Sequence, residues 1–170
     1  MKYLFWNTHN NNCINQILCD LVNENNISIL ILAEYTASVD ELLFLLHERG
    51  ILMESAITAG CERIQVLGLK HLNIKPLQQS DYATIQHVDN SIILCGIHLN
   101  SQRNPGHEYI REDRIRRIVN DVIICEKTKG SSDTIIVGDF NINPYDDSCI
   151  NAMGFHALPI YEETLRKSRT

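Results

Sequence analysis

Residues 27–33 are aliphatic at every position but Ser28, and the run stops at Glu34. A strand with one solvated face alternates apolar and polar residues, so a run without alternation reads as a strand covered on both faces. The chain must therefore supply a layer of structure above that strand and another below it. Three further runs make the same demand: residues 3–6, residues 92–97 and residues 135–137. Each of the four ends abruptly at a polar residue or at glycine followed by one, giving Asn7, Glu34, His98 and Gly138-Asp139.

Helical patterns separate the runs. Ile14, Ile17, Leu18, Leu21 and Val22 recur as one stripe, which the Asn-rich residues 23–26 end. Ser38 with Glu41 three residues later has the form of a capping box and opens a Leu-rich helix that stops at Gly50. Residues 51–88 read as strands, with period-two alternation in 64–67 and 83–88. A polar loop over 100–106 leads into a long helix over about 108–127. Its apolar face is Ile115, Ile118, Val119, Val122 and Ile123, and its charges pair as Glu112–Arg116 and Asp113–Arg117. Residues 144–153 suit a short helix with Asp146 or Asp147 near its start, and 155–158 the beginning of another strand. Strand–helix–strand units at both ends, with consecutive strands between them, fit an α/β fold (α+β by some schemes). We expect a β-sandwich of mixed sheets flanked by helices, four layers in the order α/β/β/α, in one domain over 1–170.

Composition limits the function classes. At 170 residues, 44% hydrophobic and 21% charged, the chain is long enough for a sizeable core and is not of disordered type. A net charge of −6 argues against gripping nucleic acid by overall charge, though a local groove or bound cations can supply attraction. Six cysteines without a Cys-x-x-Cys pair, and no leader-like start, suit reduced thiols and a cytoplasmic protein. No apolar run reaches the ~20 residues of a membrane span.

Polar groups after strand ends gather at one edge of an α/β domain. Taken singly, Asn7 reads as a turn residue, Glu34 as a surface acid and His98 as a hydrogen-bonded histidine; their repetition changes the balance. In an extended segment Asp139 and Asn141 would share a face, with Phe140 turned into packing. Arg63 is a further candidate to face this edge. Arg111, Arg114, Arg116 and Arg117 read as a solvated, ion-paired helix face, and His9, His107 and His156 have no zinc-type spacing.

Leu4-Phe5-Trp6-Asn7, Ile31-Leu32-Ala33-Glu34-Tyr35, Ile97-His98-Leu99-Asn100-Ser101 and Val137-Gly138-Asp139-Phe140-Asn141-Ile142-Asn143-Pro144 together resemble the successive motifs of the endonuclease/exonuclease/phosphatase superfamily. They stand in that family's order and span most of the chain. The resemblance implies a metal-dependent phosphoester hydrolase of nuclease type. The position of Glu34 would bind Mg²⁺ (or Mn²⁺), and Asn7 would support the metal or phosphate. Asp139 and Asn141 would orient the water and the scissile phosphate, and His98 would lie against the phosphate. Ser101, Arg103 and Asn143 would touch a nucleic-acid or other phosphodiester substrate. A hard cation on oxygen ligands would supply Lewis acidity with only one or two protein carboxylates.

The sequence departs from the family twice. Some relatives carry an acid just after the first-motif Asn, where Thr8-His9 stand here. The family's closing Ser-Asp-His motif, whose His–Asp pair helps generate the nucleophile, has no match in the 170 residues. We therefore expect the terminal strands to be missing and the chain to be weakly active or inactive alone, since members of a catalytic unit act together. Two alternatives share the scaffold: a binding module without hydrolysis, and a lipid or small-molecule phosphatase.

Overall fold

The computed structural model describes residues 1–101 and 108–157. Two four-stranded mixed sheets stack face to face. The first has the order β1-β2-β4-β3, built from β1 (Tyr3–Asn7), β2 (Ile29–Ala33), β3 (Met53–Ser55) and β4 (Ile64–Leu69). The second has the order β5-β6-β7-β8, from β5 (Ile74–Ser80), β6 (Ala83–Val88), β7 (Ile92–His98) and β8 (Thr134–Asp139). Helices α1 (Asn15–Asn25) and α2 (Val39–Glu48) cover the first sheet, and α3 (Glu108–Lys129) covers the second. A short α4 (Asp147–Ile150) follows β8. No helix among the described residues is long and apolar enough to cross a membrane.

The unbroken apolar runs follow from double coverage. In β2, Ile29 and Ile31 face the opposite sheet, while Leu30 and Leu32 face α1 and α2. In β7, Leu94 points between the sheets and Ile93, Cys95 and Ile97 pack under α3. Gly96 lets the sheets approach: a Cβ there would stand 3.3 Å from Ile31 and Thr84.

Side-chain alternation then decides what reaches the mouth of the sandwich. Tyr3 and Phe5 of β1, and Ile135 and Val137 of β8, face the inter-sheet layer. Counting on by twos places Asn7 and Asp139 on that same layer, and His98 follows Leu94 and Gly96 on it. The parallel pairs align these ends, with Asn7 opposite Ala33 and His98 opposite Asp139.

Several expectations need correction. Ile17 and Ile123 are exposed, and the buried stripes are Ile14, Leu18, Cys19 and Val22 on the first helical unit and Ile115, Ile118, Val122 and Cys125 on α3. The alternation in β6 does not mark a solvated face: all six residues are buried, and the Gln86 amide donates to the Ile57 carbonyl at 2.9 Å and to Thr84 Oγ1 at 2.8 Å. Ser38 Oγ accepts from Glu41 N–H at 3.2 Å, but the Glu41 carboxylate accepts from Asn15 instead of closing the box. Of the two α3 pairs only Asp113–Arg117 forms, at 2.8 Å, while Arg114 lies over the Tyr82 ring at 5.0 Å. Residues 155–157 are not a strand; Phe155 sets its ring edge-on to Phe140 at 5.2 Å. Leu158 lies outside the described residues.

Candidate active site

The mouth between the sheets brings Asn7, Glu34, His98 and Asp139 into direct contact. The Asn7 amide nitrogen donates to Glu34 Oε1 at 3.1 Å and to Asp139 Oδ2 at 2.9 Å. Each carboxylate oxygen thus lies about 3 Å from one nitrogen, so the two are at most about 6 Å apart. The Asn7 carbonyl oxygen accepts from His9 N–H at 3.0 Å, which fixes which end of the amide faces the acids.

His98 Nε2 stands 3.1 Å from Glu34 Oε1. Its Nδ1 is buried and has no partner among the described residues. A hydrogen on Nδ1 would be an unpaired buried donor, so the proton belongs on Nε2, facing the carboxylate. Asn10 adds an amide donor to Glu34 Oε2 at 3.3 Å. No lysine or arginine lies within 4 Å of Glu34 or Asp139 among the described residues.

Asp139 and Asn141 are not presented as an extended pair. β8 ends at Asp139, and Asn141 takes φ +47°. Asp139 Oδ1 accepts the Asn141 N–H at 3.1 Å, and the Asn141 amide nitrogen donates to the Leu99 carbonyl at 2.9 Å. One amide hydrogen and the carbonyl oxygen of Asn141 stay available. Phe140 does turn into the α3-side core. Gly138 has a steric reason: a Cβ would collide with the Ile97 carbonyl oxygen on β7.

The flanking candidates divide. Ser101 and Asn143 border an open cleft with Asp139, Phe140, Asn141 and Pro144. The Asn143 side-chain oxygen accepts from Tyr145 N–H at 3.0 Å, closing the turn into α4. Arg63 directs Nη1 to Asn100 Oδ1 at 3.0 Å, two residues beyond His98. Arg103 lies outside the described residues.

Three supports had no signal in the sequence. Thr8 is buried, and its hydroxyl donates to the Glu34 carbonyl at 2.7 Å. Asn10 N–H donates to the same carbonyl at 3.0 Å. Tyr35, next to Glu34, donates its hydroxyl to Asn15 Oδ1 at 2.6 Å, tying the β2–α2 loop to α1. Burial pushes the Tyr35 phenol up to about 12, with the Asn15 bond acting the other way and Glu41 adding to the rise. A folded-state pKa above the unfolded 10.0 means stability fully present below about pH 10 and lost as pH rises toward 12. Urea unfolding of wild type and Tyr35→Phe should therefore show a stability gap that shrinks in favour of the variant between pH 9 and 11.5; parallel curves would contradict it.

No group of three or more His, Cys, Asp and Glu side chains suited to a metal occurs among the described residues. A cation would rest on Glu34, which Asn7 ties to Asp139 beside it. This thin, oxygen-rich set fits a hard ion that keeps most of its waters. Two carboxylates linked through one amide, with no lysine or arginine within 4 Å among the described residues and only the imidazoles of His98 and His9 beside Glu34, favour such an ion electrostatically.

No protein-family model matches the chain, and no curated protein sequence does. Solved structures do. The chain is similar to TDP2 from C. elegans at 20% identity and TM-score 0.56, covering 83% of this chain and 48% of that one. It is similar to the human Nocturnin catalytic domain with bound sulfate at 14% identity and TM-score 0.57, covering 82% and 62%. It is similar to the Neisseria 3′ phosphatase NExo bound to product DNA hairpin at 16% identity and TM-score 0.56, covering 89% and 62%. The chain thus spans about half to two thirds of the length of these structures. These likenesses show that the chain shares the fold of these structures.

Proposed function

Proceeding from that fold, we propose that the chain binds a divalent cation, Mg²⁺ or Mn²⁺, at Glu34 and hydrolyses a phosphodiester with water, as a nuclease does. The observation that carries this reading is the Asn7 amide bridging Glu34 to Asp139, with His98 on the same Glu34 oxygen. The cation would supply Lewis acidity to a phosphoryl oxygen and offset the negative charge of the ester. Asp139, whose oxygens are oriented by Asn7 and Asn141, accepts a proton from the attacking water. The unused N–H of the Asn141 amide donates to a phosphate oxygen without adding negative charge, and the His98 Nε2–H does the same once the cation takes up the Glu34 carboxylate it faces. Ser101, Arg103 and Asn143 contact the flanking substrate. Nucleic acid is the proposed substrate, supported by the DNA product held by the Neisseria neighbour. The six free thiols suit a reducing, cytoplasmic setting.

Turnover by the 170 residues alone is proposed to be slow, because they contain no Ser-Asp-His. The same absence favours the second reading, a module that binds nucleic acid without cutting it. Incubation with Mg²⁺ and single-stranded DNA, RNA or small phosphoesters, with and without chelator, separates these. We expect weak cleavage that chelator abolishes. Fast cleavage lost in Glu34→Ala overturns the slow-turnover reading, and oligonucleotide binding without any metal-dependent cleavage favours the second.

A further inference from the structure

Glu34 reaches the site against the alternation of its own strand. Ile29 and Ile31 face the opposite sheet while Leu30 and Leu32 face the helices. An extended residue 34 would continue the second set and present its carboxylate to the helix side. Instead Glu34 has φ +50°. Measured from an extended φ of about −120°, this turns the Cα–Cβ bond through about 170° around the N–Cα axis. The turn carries the carboxylate into the mouth, onto Asn7 and His98.

The left-handed conformation is unfavourable for glutamate, and it persists only where the surroundings enforce it. Three bonds do so. Thr8 Oγ1 stands 2.7 Å from the Glu34 carbonyl, Asn10 N–H 3.0 Å from the same oxygen, and Glu34 N–H donates to the Arg63 carbonyl at 3.4 Å. Thr8 Oγ1 is also 3.2 Å from the Ala33 carbonyl, but its one proton serves the shorter contact. Thr8 is only 4% exposed, so water cannot replace the hydroxyl.

We propose that Thr8 is a positioning residue whose hydroxyl locks Glu34 in the left-handed conformation and so sets the affinity of the mouth for a divalent cation. The cation half of this statement rests on the function proposed above; the conformational half does not. Loss of the hydroxyl leaves the Asn10 N–H as the one donor on that carbonyl, too little to hold the left-handed conformation, so φ of residue 34 returns to negative values and the carboxylate swings to the helix side.

The test compares the full chain with Thr8→Val, which keeps the shape and removes the donor, and with Thr8→Ser, which keeps the donor. Backbone chemical shifts and the HN–Hα coupling of residue 34 report the sign of its φ, and Mn²⁺ titration reports affinity. In Thr8→Val, residue 34 should leave the left-handed region and Mn²⁺ binding should weaken about tenfold at a melting temperature near wild type. Thr8→Ser should keep both readouts within about twofold. Thr8→Ala serves if the valine variant does not fold. A valine or alanine variant that keeps the left-handed signature overturns the lock, and one that loses it at unchanged Mn²⁺ affinity overturns the link to the cation. Wild-type Mn²⁺ binding indifferent to Glu34→Gln would sink the proposed function and the cation half together, while the residue-34 signature still decides the lock.

Discussion

Glu34→Gln is expected to weaken Mn²⁺ binding at the mouth by at least about a hundredfold and to leave the fold intact. The loss follows from charge: Glu34 is one of two carboxylates in contact with Asn7, and an amide oxygen cannot match a carboxylate as a ligand for a hard cation. Fold is spared because the glutamine oxygen still accepts from Asn7 and from His98 Nε2. It also lies close to Asp139, so removing its charge relieves repulsion between two acids that share one donor. Isothermal titration with Mn²⁺, beside thermal unfolding without metal, reads both effects. Any metal-dependent cleavage should fall by about a thousandfold, the scale on which members of a catalytic unit fail together. Equal Mn²⁺ affinity in the two proteins would remove Glu34 from the site.

Gly138→Ala should be strongly damaging for the addition of a single methyl. The new Cβ would meet the carbonyl oxygen of Ile97, a backbone atom of the neighbouring strand that cannot rotate aside. Either β8 separates from β7 near its end or the strand tilts, and both displace Asp139, the next residue. A cost of about 2–4 kcal/mol is expected from the steric and backbone strain combined. For a domain of this size that is a melting temperature lower by roughly 5–15 °C. Gly130→Ala is the control: it also replaces a glycine at positive φ, +63°, but no atom lies within 4 Å of its added Cβ. It should cost about 1 kcal/mol from backbone conformation alone. Equal losses in the two variants would show that the Ile97 contact is not what fixes Gly138.

Much of the sandwich could be read from the sequence because burial on two faces leaves a mark that cannot be mistaken for amphipathic alternation. Residues 27–33 and 92–97 carry it, and the polar residues that stop them are the ones that meet at the mouth. The helices were harder, since a stripe of five apolar positions is wider than one packing face. Ile17 and Ile123 fit the period yet stand in solvent, while Cys19 and Cys125 take the buried places. In β6 the alternation marks the strand but not its full burial, because Thr84 and Gln86 are polar residues buried through bonds to each other and to the Ile57 carbonyl, contacts that sequence spacing does not encode.

At the site, the residue types were legible and their attachment was not. Nothing in the order Ala33-Glu34-Tyr35 discloses that Glu34 breaks strand alternation, and strict alternation would have aimed it away from Asp139. Thr8 and Asn10 carry no signal in the sequence because their task, holding a carbonyl 24 or more residues away, is purely tertiary. An extended chain would set Asn141 beside Asp139; the strand ends at Asp139, two residues short of Asn141, whose carboxamide is aimed by the Leu99 carbonyl instead.

On the proposed function, the mouth holds a divalent cation on Glu34 beside Asp139. Crystals soaked in Mn²⁺ and measured at the manganese edge test it most directly. An anomalous peak is expected in contact with a Glu34 carboxylate oxygen and near Asp139, absent from Glu34→Gln crystals treated the same way. Peaks confined to other acids, with Glu34 still bonded only to Asn7, Asn10 and His98, would contradict it.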